Sequence, residues 1–135
     1  MHEPMESKKI ILTVDDDPAF GDLYKAALEP KGYEVHWAKD AAEGYDACLR
    51  IKPALIILDV MMPERGGFRD GFDMLERLRR EGGKCAKTPV IMISAIGGPE
   101  DVRHGMMLGA NAYLSKQDMV PDTLLGKIRE LLGEK

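Results

Sequence analysis

Short apolar runs recur along this chain and alternate with segments whose apolar residues repeat at helical spacing. Three runs, KKIILTV (8–14), ALIIL (54–58) and VIMIS (90–94), are apolar at successive positions, which is typical of central strands covered on both faces of a sheet. The run YEVHWA (33–38) alternates apolar with polar residues and therefore predicts a strand nearer the sheet edge. The short run AYL (112–114) is the fifth candidate strand.

Five helical patterns stand between and after these runs. In each of them the apolar residues recur every three or four positions, some as adjacent pairs, so that they would form one stripe on a helix. Val102 and Met106 of the fourth helix are predicted to face inward. The stripes are Phe20, Leu23, Tyr24, Ala27 and Leu28; Ala41, Tyr45, Cys48 and Leu49; Met74, Leu75 and Leu78; Val102 and Met106; and Leu124, Ile128, Leu131 and Leu132. Asp40 with Glu43 forms a capping box ahead of the second stripe, and Pro99 opens the fourth helix.

Alternating strands and helices predict a parallel sheet with right-handed crossovers, in which the functional crevice lies at the carboxyl ends of the strands. Polar residues stand at four of these ends. Asp15 to Asp17 follow the first strand, Asp59 ends the third, Ser94 ends the fourth, and Lys116 follows the fifth. We therefore expect these side chains to gather at one end of the sheet.

Composition narrows the classes of protein that remain. The chain has 135 residues, 44% hydrophobic and 31% charged, which suits one globular domain with a single core. A net charge of −4 does not favour a nucleic-acid surface, and no apolar run approaches the roughly 20 residues that span a bilayer. Residues 1–7 are predicted to be a flexible lead-in. Cys48 and Cys85 lie outside any CxxC pattern, which indicates reduced thiols in a cytosolic protein.

The acids after the first strand raise a chemical question, because neighbouring carboxylates repel each other. Together with Asp59 they could bind a hard cation such as Mg²⁺, which prefers oxygen ligands and often holds a phosphate as well. Lys116 would add positive charge, and the Ser94 hydroxyl could donate to a phosphoryl oxygen. Asp59 ends a central strand and is best placed to act as a nucleophile and form an aspartyl phosphate.

Each of these residues taken alone has a simpler interpretation. Asp17 or Asp16 could cap the first helix, with Pro18 at its first position, and we favour this interpretation for Asp17. A single Asp at a strand end is more often a turn residue than a nucleophile, and Ser94 or Lys116 alone would not indicate a functional site. Four such positions at four strand ends are better explained by one site.

Six segments carry a resemblance that covers nearly the whole chain. They run from about Lys8 to Leu132 and read ILTVDDDP, LIILDVMMP, DGFDML, VIMISA, GANAYLSK and LLGKIRELL. In this order and spacing they resemble the receiver domain of response regulators in bacterial two-component signalling. The resemblance implies a receiver domain over residues 8–133 with a flavodoxin-like (βα)5 fold, a doubly wound parallel sheet of strand order 2-1-3-4-5.

The resemblance also implies a function and a metal site. It implies a cytoplasmic switch module in which Asp59 takes a phosphoryl group from a sensor histidine kinase or a phosphotransfer protein. Asp16 would be a direct Mg²⁺ ligand, Asp15 a ligand mainly through water, and the backbone carbonyl of Met61 a further ligand. The module would catalyse its own phosphorylation and dephosphorylation without being a classical enzyme.

A switch is implied at the neighbouring strand ends. Ser94 matches the switch hydroxyl, Lys116 the lysine that pairs with the phosphoryl group, and Tyr113 the aromatic switch residue, expected to turn inward on phosphorylation. Tyr113 could equally be a packing residue of an edge strand. The face of the fourth helix, fifth strand and fifth helix would then change and bind a downstream protein, with no contact to nucleic acid or membrane.

Two departures from the family pattern lie close to the site. Receivers usually have a proline after the lysine, joined by a cis peptide bond. Here Gln117 follows Lys116, so the loop is either less fixed or holds a costlier cis bond. Six residues, ERGGFR (64–69), separate Pro63 from Asp70, where the family usually has two.

This insertion has two interpretations. It could be a longer surface loop without a role, because the entropy of loop closure grows slowly with length. Alternatively, Arg65 or Arg69 could reach the phosphoryl group or a kinase, and Phe68, if exposed, could anchor a partner.

Three other classes of protein remain open. A phosphatase of the haloacid-dehalogenase type also forms an aspartyl phosphate with Mg²⁺, but it would need a second Asp at the position of Met61. A flavodoxin-like FMN carrier would need a Ser/Thr/Gly phosphate loop where this chain has Asp15 to Asp17. The third class is a receiver-like docking module that is not phosphorylated, although all the reactive residues are present here.

Overall fold

The structure is a computed structural model that describes residues 8–95, 97–117 and 120–134. The strands are β1 (Lys9–Val14), β2 (Tyr33–Ala38), β3 (Leu55–Asp59), β4 (Val90–Ser94) and β5 (Ala112–Ser115). The helices are α1 (Pro18–Leu28), α2 (Ala41–Ile51), α3 (Gly71–Glu81), α4 (Pro99–Met107) and α5 (Pro121–Leu131). Short 3-10 turns follow α1 at Glu29–Lys31 and α3 at Gly83–Cys85. The predicted lead-in, residues 1–7, lies outside the described residues.

The five strands form one parallel sheet in the order β2-β1-β3-β4-β5. This confirms the expected strand order and places β2, the strand with alternating polarity, at an edge. From β1 the chain adds β2 on one side and then returns to add β3, β4 and β5 on the other. The order of strands therefore reverses between β1 and β3. The carboxyl ends of these two strands therefore flank the switch point at which ligands bind in sheets of this kind.

Apolar side chains cover both faces of the sheet. On one face, Leu12, Ile56 and Leu58 pack with α2 and α3. On the other face, Ile11, Ile57 and Ile93 pack with α1 and α5. Alternate residues of each strand thus belong to different cores, which explains why the central strands are apolar throughout.

Side-chain caps fix the starts of three helices. Asp17 accepts from the backbone N–H of Ala19 at 2.9 Å, which confirms it as the cap of α1. Asp40 accepts from the backbone N–H of Glu43 at 2.8 Å, as predicted. Asp70 caps α3 in the same way. Each cap satisfies a backbone donor that the first helical turn leaves without a partner.

The fourth helix packs differently from the prediction. Val102 and Met106 were expected to face inward, but they are 36% and 44% exposed, and Gly105 is the buried residue of α4. A side chain at Gly105 would begin 3.2 Å from both Met92 Sδ and Tyr113 Cδ2. Because this glycine lets the helix approach the sheet closely, the apolar residues beside it are turned to the surface.

Arg79 of α3 joins the loops at the amino ends of β4 and β5. Its guanidinium donates to the carbonyl oxygens of Gly109, Ala86 and Thr88 at 2.7–3.1 Å and to Oδ1 of Asn111 at 3.1 Å. Burial lowers the pKa of Arg79. The carbonyl oxygens that accept from its guanidinium stabilise the charged form.

The two cysteines are free thiols and lie buried between α2 and the turn after α3. The thiol of Cys85 donates to the carbonyl oxygen of Cys48 at 3.2 Å. Burial, with a smaller contribution from Cys85, raises the pKa of Cys48 to about 12. Both residues act here as small apolar core groups.

Candidate functional site

The side chains predicted to share a site do meet at the carboxyl end of the sheet. Asp15 and Asp59 are almost fully buried, at 2% and 3% exposure, and Ser94 is buried beside them at the end of β4. Lys116 Nζ lies 2.9 Å from Oδ2 of Asp15 and 3.5 Å from Oδ2 of Asp59. One ammonium group therefore bridges the carboxylates that end β1 and β3.

A third carboxylate completes an acidic cluster. Asp15, Asp16 and Asp59 each offer an oxygen within 4.8 Å of the others, and Asp16 is exposed to solvent. Burial and the charge of Asp15 raise the pKa of Asp59 from 3.8 to about 7, although Lys116 and a hydrogen bond from the backbone of Met61 oppose this. One ammonium group compensates only part of the charge of three carboxylates, and the remaining negative charge among oxygen donors fits a divalent cation that prefers oxygen ligands. Asp16 also lines an open surface pocket together with Met61.

Lys116 is held from three directions. Besides the two carboxylates, its Nζ lies 4.0 Å from the ring centroid of Phe20 in α1. Burial would lower the pKa of Lys116, but the hydrogen bond to Asp15 and the charge of Asp59 outweigh it and raise the pKa, so the ammonium stays protonated. Among the described peptide bonds none is cis, and Lys116–Gln117 is trans. The loop therefore does not contain the costlier cis bond that was one of the two alternatives for Lys116–Gln117.

The acid loop after β1 is fixed by a residue that the sequence did not single out. The backbone N–H of Asp15 extends the β1–β2 ladder by donating to Ala38 at 3.1 Å. The carbonyl of Asp15 accepts from Nε1 of Trp37 at 2.8 Å, and Oδ1 of Asp15 accepts from the N–H of Asp17 at 2.9 Å. Trp37 packs closely over Gly21, where a side chain would begin 2.9 Å from the indole. The indole thus holds the peptide that joins the two ligand candidates Asp15 and Asp16.

Tyr113 is half-buried next to Ser94. Its hydroxyl is buried, and an added side chain would begin 3.0 Å from this hydroxyl at Gly97 and 3.2 Å from the ring at Gly105. Burial raises the pKa of Tyr113, and the Ser94 hydroxyl acts in the opposite direction. The hydroxyl end of the side chain that was expected to turn inward on phosphorylation is therefore already buried in this structure. In the loop that follows Ser94, residue 96 lies outside the described residues.

Gly71, the first residue of α3, lets this helix begin against the end of β3. The N–H of Gly71 donates to the carbonyl of Val60 at 2.9 Å, and a side chain at Gly71 would begin 2.1 Å from the carbonyl oxygen of Asp59. No other residue fits there without moving the backbone that carries Asp59. The close approach of two backbones thus requires glycine at position 71, while Asp70 before it caps α3.

The insertion is a small hairpin packed on the protein rather than an extended loop. Arg65 and Phe68 pair as an antiparallel bridge, and Gly66 and Gly67 turn the chain at φ values of 63° and 86°. Phe68 is only 4% exposed, and its ring centroid lies 5.7 Å from that of Tyr45 in α2. This burial contradicts the hypothesis of Phe68 as an exposed anchor for a partner.

The charged groups around the hairpin also bind locally. The guanidinium of Arg77 stacks over the Phe68 ring at 5.0 Å, and Arg65 lies 3.5 Å from Oδ2 of Asp40. Arg69 donates through Nε and Nη2 to both carboxylate oxygens of Asp73 at 3.0 and 3.1 Å. The two arginines that were considered for the phosphoryl group are therefore paired with the starts of α2 and α3. The hairpin joins these two helices.

Comparison with known proteins gives a consistent assignment. The family model described as response regulator receiver domain matches residues 11–129. The chain is 40% identical over 122 residues to the DNA-binding dual master transcriptional regulator RpaA of Synechocystis sp., covering 90% of this chain and 48% of that protein. It is 35% identical to the response regulator Rre1 of the same organism, covering 100% of this chain and 54% of that protein. The chain thus spans about half the length of these curated relatives.

Solved structures agree with the fold. Chemotaxis protein CheY4 of Vibrio cholerae superposes with a TM-score of 0.82 at 28% identity, covering 93% of this chain and 99% of that chain. A CheY-like receiver domain protein from Methanospirillum hungatei gives 0.79 at 34% identity, covering 94% and 95%. None of the described helices has the length and apolarity needed to cross a membrane. With the acidic cluster at the strand ends, these matches show that the chain belongs to the response regulator receiver domains, the phosphoacceptor switch modules of two-component signalling.

Proposed function

We propose that Asp59 is the phosphoacceptor and that its donor is the phosphohistidine of a sensor histidine kinase or a phosphotransfer protein. The observation that carries this proposal is a buried carboxylate at the end of the central strand β3, with an ammonium group and two further acids around it. In the transfer, an oxygen of Asp59 attacks phosphorus while the bond from phosphorus to the histidine nitrogen breaks, and the imidazole leaves with the electron pair.

The surrounding residues have distinct roles in this proposal. Mg²⁺, bound by Asp15, Asp16, Asp59 and the backbone carbonyl of Met61, would offset the negative charge of the carboxylates and the phosphoryl oxygens. Lys116 needs to move little from its 3.5 Å contact with Asp59 to bind an oxygen of the transferred group. The same groups would support hydrolysis of the acyl phosphate, so that the chain catalyses its own phosphorylation and dephosphorylation.

The signal would pass from Ser94 to the face made by α4, β5 and α5. The Ser94 hydroxyl donates to a phosphoryl oxygen, and the β4–α4 loop follows it. Because the Tyr113 hydroxyl is already buried, phosphorylation stabilises the inward position of this side chain rather than creating it, which is a shift of population between two states. Val102, Met106 and Met107 are exposed on α4, where a downstream protein would bind. We place this receiver, residues 8–133 after a lead-in of residues 1–7, in the cytoplasm, without contact to membrane or nucleic acid.

Intact-mass spectrometry tests the acceptor. We expect the chain to gain one phosphoryl group from acetyl phosphate in the presence of Mg²⁺, and to gain none in the absence of the metal. Asp59→Asn should abolish the gain because an amide is a poor nucleophile, whereas the exposed Asp22→Asn on α1 should leave it unchanged. A phosphoryl group that persists in Asp59→Asn would disprove the assignment, and steady turnover of phosphomonoesters would favour a phosphatase.

A further inference from the structure

The ring of Phe20 faces the reactive lysine from the first turn of α1. Lys116 Nζ lies 4.0 Å from the ring centroid, which is within the distance at which an aromatic face attracts a cation. An ammonium group has three N–H donors, and Asp15 and Asp59 accept from the other directions at 2.9 and 3.5 Å. The lysine side chain is only 13% exposed, so the ring acts on a largely desolvated charge.

The start of α1 fixes this ring above the strand ends. Asp17 caps the helix and Pro18 occupies its first position, so the backbone of the first turn is well defined. Side chains on a helix lean toward its amino end, which here is the end nearest the acids that follow β1. Phe20 is therefore directed back over the crevice, and its ring centroid lies 6.2 Å from that of Tyr24, one turn further along α1.

The lysine loop itself supplies few restraints in its described part. The backbone N–H of Lys116 donates to Ser94 at 2.9 Å, and that of Gln117 to Oγ of Ser115 at 3.2 Å. We propose that Phe20 is a positioning residue for Lys116, which keeps the ammonium group over Asp59 where it can pair with a transferred phosphoryl group. This inference rests on the proposed function of Asp59.

The ring should matter most when the site holds a metal. Without metal, the carboxylates of Asp15 and Asp59 attract the ammonium by themselves. A divalent cation on the same carboxylates competes for them and repels the ammonium. The aromatic face attracts the ammonium whichever carboxylate or phosphoryl oxygen it pairs with, so Phe20 retains the lysine while its partners change.

Beryllofluoride, a mimic of the phosphoryl group, provides the test. Its binding in saturating Mg²⁺ is followed by ¹⁹F NMR in the wild-type chain, Phe20→Leu and Phe20→Tyr. Phe20→Leu keeps an apolar group of similar size but removes the aromatic face, and we expect about three- to twenty-fold weaker binding. Phe20→Tyr keeps the face and should bind within about twofold of wild type. The matched control Leu23→Ala, one turn away and exposed, should leave binding unchanged.

A double-mutant cycle separates positioning from packing. If Phe20 acts through Lys116, then Phe20→Leu should cause no further loss in a Lys116→Met background. ¹⁵N-edited NMR gives a readout without a mimic, since the ammonium protons of Lys116 should lose their upfield ring-current shift in Phe20→Leu. Equal binding by wild type and Phe20→Leu, an equal loss in Leu23→Ala, or an equal loss in the Lys116→Met background would each overturn the inference alone. A wild-type chain that binds no beryllofluoride would overturn the proposed function, and the inference with it.

Discussion

Replacing Asp59 by Asn should make the metal-free protein more stable, although it removes the proposed acceptor. Burial and the neighbouring charge of Asp15 raise the pKa of Asp59 from 3.8 to about 7, so the folded state disfavours the ionised carboxylate. Each pKa step corresponds to about 1.4 kcal/mol, and the cost at a pH above both values is therefore about 4 kcal/mol. Asn has nearly the same shape and no charge. We expect Asp59→Asn to raise the free energy of unfolding by about 2 to 4 kcal/mol at pH 8. The gain is smaller than the full cost of the buried charge because the amide is still a buried polar group.

The sign of the pH dependence follows from the direction of the shift. Between pH 4 and pH 7 the folded state of the parent holds a proton that the unfolded state has lost, so the free energy of unfolding falls as the pH rises. The amide of the Asp59→Asn variant does not titrate. The difference between the variant and the parent should therefore be small near pH 4, should grow through pH 5 and 6, and should level off above about pH 7.

Urea denaturation in EDTA across this pH range measures the effect. Asp22→Asn is the matched control, since this exposed carboxylate should change the free energy of unfolding by less than about 0.5 kcal/mol. Added Mg²⁺ should stabilise the parent and bring it closer to Asp59→Asn. If Asp59→Asn is destabilised at pH 8, or if its gain is the same at pH 4, the electrostatic explanation of the cluster is wrong.

Three further variants test other parts of the structure. Phe68→Ala should lower the free energy of unfolding by about 3 kcal/mol or more in urea, because it empties the space between α2 and α3; a loss below about 1 kcal/mol would mean that the hairpin does not join these helices. Arg79→Lys should lower the free energy of unfolding by about 2 kcal/mol, since one ammonium group cannot replace a guanidinium that donates to four loop residues. The same change at the exposed Arg80 should have little effect. Trp37→Phe should weaken Mg²⁺ binding a few-fold in calorimetry by releasing the carbonyl of Asp15, and unchanged affinity would show that the indole does not position the acid loop.

The sequence predicted the fold and the clustered residues because both depend on regular spacing. The period of two in YEVHWA and the fully apolar central strands determine which element lies at the edge and which are covered. In a parallel sheet, a residue at a strand end has a defined location, so Asp15, Asp59 and Ser94 could be brought together without coordinates. The caps at Asp17 and Asp40 were predictable because they depend on neighbours along the chain.

The contacts that could not be predicted join residues that are far apart in the sequence, and they follow no periodic pattern. The bond from the Trp37 indole to the Asp15 carbonyl joins a side chain to the backbone of another strand, and alternation marks Trp37 only as apolar. Phe68 lies in a polar loop, and its burial depends on a space between two helices that only the packed structure defines. For α4, the stripe of Val102 and Met106 showed an amphipathic helix, but not that Gly105 would be its closest contact with the sheet.

The buried thiols of Cys48 and Cys85 have a practical consequence for experiments. Burial raises the pKa of the Cys48 thiol to about 12, so very little of it is thiolate at pH 8, and alkylating reagents react with the thiolate. Both sulfur atoms are also closed off from solvent in the folded chain. The rate at which iodoacetamide labels the protein should therefore depend on how often the layer of α2 and α3 opens, which makes these native cysteines a built-in reporter of local unfolding on that side of the sheet.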